Sequence, residues 1–159
     1  MARFAWAPLL ALGGCSMGGA LGTLMGAASD WYEVGPVRKP LPELMETTRL
    51  YLVQSGYVVT RMDAVERWLQ TEWDVHLNTH WREGFRTRVD VEFPEQPDGS
   101  TLIRIRSSRE VNTEDVAPMQ ADRARWMSAA TDDKQKPLIP EPAIKLRQQL
   151  KVKFFGLAE

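Results

Sequence analysis

Few side chains in this 159-residue sequence are of a kind that does chemistry, and their spacing restricts what each can do. The histidines, His76 and His80, lie close to Glu72 and Asp74, a set of donor types that suits a transition metal. A spacing of four aligns side chains on a helix, however, and this stretch alternates in polarity like a strand running into a loop, so no metal site is expected. Glu83 and Asp90 are single carboxylates without a mate for acid–base work, and Ser107-Ser108 has no histidine placed to activate a hydroxyl. No Gly-rich phosphate loop, nucleophile elbow or HExxH sequence occurs. The expectation is a protein that is not an enzyme and needs no cofactor and no metal.

Cys15, the only cysteine, is the exception. It follows Leu12-Gly13-Gly14, which is preceded by an apolar run from Phe4 and by one positive charge at Arg3. This is the layout of a cleaved leader whose small residues sit beside the cut. The pattern resembles the lipobox of bacterial lipoproteins, and that resemblance implies cleavage at Leu12-Gly13-Gly14 and acyl chains, palmitate among them, on Cys15. The domains expected are then a signal peptide over 1–14, a lipid-anchored Gly/Pro-rich tether over 15–40 and a folded domain over 41–159. A second reading stays open. Phe4 to Ala28 carries no charge and is long enough to span a bilayer, and Gly18, Gly22 and Gly26 recur at the small-xxx-small spacing that packs membrane helices. A third is an apolar end that packs internally.

A lone cysteine allows no disulfide within the chain, so stability has to come from a core. Length supports one domain. The formal charge of -1 falls to -2 when the leader takes Arg3 with it, and no nucleic-acid motif appears, which excludes a nucleic-acid partner.

Residues 30–42 read as a linker, with Gly35, Pro36, Pro40 and Pro42 and no apolar period; Trp31 and Tyr32 within it would sit at a membrane interface or dock on the domain. Leu41 to Ser55 predicts a helix with a stripe of Leu41, Leu44, Met45, Thr48, Tyr51 and Leu52, Pro42 in its first turn and Gly56 at its end. From Tyr57 the period becomes two. Leu69, Thr71, Trp73, Val75 and Leu77 alternate with polar residues, placing Trp73 in the core, and Phe85 to Phe93 and Thr101 to Val111 alternate likewise around an Asp98-Gly99 turn. Residues 117–130 suggest a short, poorly amphipathic helix. Ala143 to Phe155 predicts a clear one, with Ala143, Leu146, Leu150, Phe154 and Leu157 on one face. The fold class expected is α+β: an antiparallel sheet of about three to four strands, with an N-terminal and a C-terminal helix packed on one face.

The other face of that sheet is charged. Arg86, Arg88, Arg104 and Arg106 fall on neighbouring strands, interleaved with Glu72, Asp74, Asp90 and Glu92, which predicts cross-strand ion pairs or a surface that docks a partner. Trp68, Trp81 and Trp126 lie at element ends or loops, where aromatic side chains either cap the core or anchor a protein partner.

Glu66-Arg67-Trp68-Leu69-Gln70-Thr71-Glu72-Trp73, Arg86-Thr87-Arg88-Val89-Asp90-Val91, Asp98-Gly99-Ser100-Thr101-Leu102-Ile103-Arg104-Ile105 and Ser108-Arg109-Glu110 together resemble the strand pattern of helix-grip domains in BamC lipoproteins. The resemblance covers residues 41–110. It implies an outer-membrane lipoprotein facing the periplasm, a non-enzymatic accessory of barrel assembly, bound to the membrane through its N-terminal lipid and to other envelope proteins through its domain. This chain has room for one such domain where members of that family typically carry two. Two alternatives differ in class: a carrier or sensor holding a lipid or other amphiphile between helices and sheet, and an integral membrane subunit anchored by residues 4–28.

Overall fold

The computed structural model describes residues 31–77, 84–128 and 142–156. Within them the elements run β1 (Tyr32–Val37), α1 (Leu41–Gln54), β2 (Val59–Asp63), β3 (Trp68–Thr71), β4 (Asp74–His76), β5 (Phe85–Glu92), β6 (Thr101–Asn112), β7 (Trp126–Ser128) and α2 (Pro142–Phe155). The leader, Cys15, Gly18, Gly22, Gly26, His80, Trp81, Glu83 and Leu157 lie outside the described residues. Among the described residues no helix is long and apolar enough to cross a membrane.

The α+β class and the antiparallel pairing match the sequence reading, but the strand count does not: the sheet has seven strands, ordered β1-β6-β5-β3-β2, with β4 also on β5 and β7 also on β6. Three departures account for the difference. The first is β1, which lies inside the stretch read as a linker. Its register with β6 pairs Val34 with Ile103 and Val37 with Thr101, so three residues span what two span on β6, and Gly35-Pro36 forms the resulting bulge. Proline is tolerated because β1 is an edge strand, and glycine is required because its φ is +127° with the Thr101 carbonyl 3.2 Å from where a Cβ would stand. Val34 and Val37 are both buried, so this edge belongs to the core.

The second departure splits one expected strand into β3 and β4. Gln70 pairs with Asp90 but Asp74 pairs with Thr87, so four steps along one strand oppose three along the other. One extra residue reverses every later side chain. The Thr71 hydroxyl bridges the break, accepting from the Val89 amide at 3.0 Å and donating to the Glu72 carbonyl at 3.0 Å. Trp73, expected in the core, consequently lies on the opposite face. The third departure is β7, found where a helix was expected.

Both helices lie on the apolar side of the sheet. α1 turns Leu44, Met45, Thr48 and Leu52 inward and α2 turns Ala143, Leu146 and Leu150 inward, against Val34, Leu69, Val89, Val91, Phe93, Ile103 and Ile105. Most of these side chains have no accessible surface, and Thr48 satisfies its hydroxyl on the Leu44 carbonyl at 2.8 Å. α1 ends as its composition predicts, with Gly56 at φ +92° and the Tyr57 amide donating back to the Leu52 carbonyl.

The two glycines at bends separate conformational strain from steric crowding. Gly99 has φ +77° with nothing near its missing Cβ, whereas Gly35 has both a positive φ and a crowded site. Gly99→Ala should cost about 1 kcal/mol and Gly35→Ala about 2–3 kcal/mol in urea unfolding; equal costs would mean that β1 is not seated on β6.

Candidate functional site

Among the described residues no helix covers the other face of the sheet, and it is there that the expected arginines and two of the expected tryptophans meet. Outward side chains along β5 and β6 form rows across the strands: Arg86 opposite Glu110, Arg88 opposite Ser108, Asp90 opposite Arg106 and Glu92 opposite Arg104. Arg86 donates through Nε to Glu110 at 2.7 Å, and Arg104 reaches Glu92 at 3.1 Å and Glu33 at 3.6 Å. Arg106 donates twice to Asp90, at 3.3 and 3.2 Å, and Gln70 donates to the same carboxylate at 2.7 Å. Asp90 is completely buried beneath these partners.

Of the four carboxylates expected to interleave with the arginines, Asp90 and Glu92 do so. Asp74 instead contacts His76 at 2.9 Å, and Glu110 and Glu33, not singled out from sequence, complete the ion pairs. His76 also stacks on Phe85 with ring centroids 4.8 Å apart, and among the described residues no three metal-ligating side chains converge. Ser107 points into the core and Ser108 lies on the open face.

Tryptophan rings alternate with the guanidinium groups. Arg86 lies 4.4 Å from the centroid of Trp73 and 4.9 Å from that of Trp126, so it is held between two rings, while Arg88 covers Trp73 at 4.7 Å. Trp31 takes Arg104 at 4.9 Å and Arg106 at 4.5 Å, and meets Trp68 edge-on at 6.5 Å and 76°. Each such contact is worth about 0.5–1 kcal/mol at a surface and more when desolvated. All four rings remain partly exposed. Trp68 and Trp126 were legible as docking candidates; Trp31 and Trp73 were not, because the first fell in an expected linker and the second was reversed by the bulge.

Trp126 reaches this lattice through a device invisible to periodicity. Asn112, at the end of β6, accepts from the amides of Glu114 and Arg125, both at 3.0 Å, and donates to the Pro118 carbonyl at 3.2 Å. The Thr113 amide donates to the Arg125 carbonyl at 2.9 Å. One buried amide therefore closes the neck of the 113–125 excursion and returns the chain beside β6 with Trp126 opposite Asn112.

A small open depression beside the bulge, lined by Gly56, Tyr57, Val58, Glu72, Trp73 and Asp74, is bordered by the half-buried phenol of Tyr57. Burial pushes the Tyr57 hydroxyl above its ordinary 10.0, against the opposing effect of its hydrogen bond with Thr87.

No protein-family model matches the chain, and no curated protein is significantly similar to it in sequence. The arrangement itself is a nearly charge-balanced surface in which arginine side chains lie over indole rings. It presents guanidinium groups over aromatic rings beside paired carboxylates.

Asn112→Ala leaves two amides and a carbonyl without their partner and should cost about 1–3 kcal/mol, with a red shift in Trp126 emission as the ring leaves Arg86; stability loss without a spectral change would separate the neck from the lattice. Because the folded state raises the Tyr57 value, its contribution to stability is complete below pH 10 and is lost as pH rises through the folded value. Tyr57→Phe should therefore flatten the alkaline limb of a stability profile measured by urea unfolding.

Proposed function

We propose that this chain is a membrane-anchored envelope lipoprotein, acylated at Cys15, that serves as a non-enzymatic protein-binding accessory subunit of an assembly or secretion complex on the periplasmic side of the outer membrane. Its docking surface is the open sheet face built on Arg86, Arg88, Arg104 and Arg106 with Trp31, Trp68, Trp73 and Trp126. The observation that carries this reading is the stacking of Arg86 between Trp73 and Trp126, with the parallel set around Trp31. Tryptophan and arginine are the residues that dominate protein–protein hot spots, and here they already contact one another in the free chain, an arrangement that lowers the ordering cost of association.

The packed interlayer argues against the amphiphile carrier. Leu44, Met45, Leu69, Val91, Phe93, Ile105 and Leu150 fill the space between helices and sheet with no exposed surface. Kinship with the BamC helix-grip domains belongs to the same proposal and rests on the strand motifs quoted from the sequence; a strand ahead of the first helix and a seventh strand at Trp126 are features that resemblance did not imply.

The membrane anchor and the docking face are tested separately. Mass spectrometry of the mature N-terminus should find acylated Cys15 as the first residue; an intact leader overturns the lipoprotein assignment. A photo-crosslinker at Ser128, on the rim of the open face, should capture a defined envelope protein, whereas one at Leu50 on the outer side of α1 should not. Trp73→Ala or Arg86→Gln should lower the Ser128 yield by about tenfold, the loss expected for one hot-spot residue. Equal yields from Ser128 and Leu50 would remove the docking assignment.

A further inference from the structure

Three of the four outward pairs along β5 and β6 join opposite charges, and Arg88 opposite Ser108 is the one that does not. On its own strand Arg88 reaches Asp90 only at 3.7 Å from Nε, beyond hydrogen-bonding distance. Asp90 already accepts three hydrogen bonds from Arg106 and Gln70, so a single buried carboxylate lies between two guanidinium groups and balances one. The Arg88 Nε is buried without an acceptor, yet its side chain as a whole is 30% exposed and can be reached from outside. Trp73 holds its guanidinium plane in place.

We propose that Arg88, with Arg106 beside it, receives a side-chain carboxylate from an acidic, extended segment of a partner protein, flanked by Trp73 on one side and Trp31 on the other. This rests on the docking reading above and names the chemistry of the partner. Charge balance selects a carboxylate. Arg88, Arg106 and Asp90 together carry one net positive charge, and the adjoining row of Arg104 with Glu92 and Glu33 carries one net negative charge. A singly charged group completes the first without opposing the second, whereas a phosphate monoester, at roughly −1.5 to −2, brings surplus charge next to an acidic row. The planar fork of a guanidinium also matches a carboxylate in two-point geometry.

The test titrates the full chain with a capped hexapeptide of alternating glutamate and leucine, following tryptophan emission, beside the same peptide with glutamine for glutamate, inorganic phosphate, and vesicles containing anionic lipid. The glutamate peptide should bind at least about tenfold more tightly than the glutamine peptide, and Arg88→Gln should remove about tenfold of that affinity. Ser108→Glu supplies a carboxylate opposite Arg88 from within the chain, so it should suppress peptide binding while leaving the urea midpoint unchanged or higher. This second variant decides the matter if Arg88→Gln fails to fold. Equal binding of the glutamine peptide, tighter binding of phosphate or anionic vesicles, or indifference to Ser108→Glu each overturns the proposal. If the Ser128 crosslink persists at full yield in Ser108→Glu, the carboxylate site falls and the docking face stands; if peptide binding follows Arg88 but Ser128 captures nothing, the docking reading fails instead.

Discussion

The antiparallel register of β5 with β6 fixes both faces of this protein at once. Eight consecutive residue pairs, from Phe85 with Val111 to Glu92 with Arg104, place Val89, Val91 and Ile105 under the helices and put Arg86, Arg88, Asp90, Glu92, Arg104, Arg106 and Glu110 on the far side. A slip of one residue would exchange the two sets, burying four guanidinium groups and exposing the core. The apolar face thus pins the geometry of the polar one, and the spacing of the lattice is inherited from the ladder of backbone hydrogen bonds.

The two faces differ in what they contribute. Burial of the helix stripes against Leu69, Val91 and Phe93 is the source of stability, since each large side chain removed from water is worth about 1.5–3 kcal/mol. Exposed ion pairs add far less, typically under about 1 kcal/mol each. The Arg and Trp planes therefore act mainly by restraining one another. Asp90 is the exception, because a carboxylate with no exposed surface depends on Arg106 and Gln70, and removing either partner leaves a buried charge short of compensation.

Elements that carry their own period were legible in the sequence. The stripe of α1 and that of α2 are local patterns, and the helices begin and end within a residue or two of where those patterns place them. The strand count was not legible, for reasons specific to each missed strand. β1 contains Gly35 and Pro36, which mark a loop unless the partner strand is known to leave room for a bulge. β7 is three residues long and exists because Asn112, fourteen positions before Trp126, ties the neck of its loop. The four arginines of the open face could be placed together by alternation alone, but Trp73 could not, since its side depends on an extra residue between Gln70 and Asp74 that has no signature in polarity.

The Asn112 tie also separates the contents of a loop from its function. Residues 113–125 begin and end at one side chain and one backbone pair, so what lies between has little influence on where the chain re-enters the sheet. Lengthening such a closed excursion is cheap, about 0.6 kcal/mol for a doubling. Sequence drift, inserted segments or an added recognition element can accumulate there while Trp126 keeps its place, which makes this excursion the natural site for diversification around an unchanging platform.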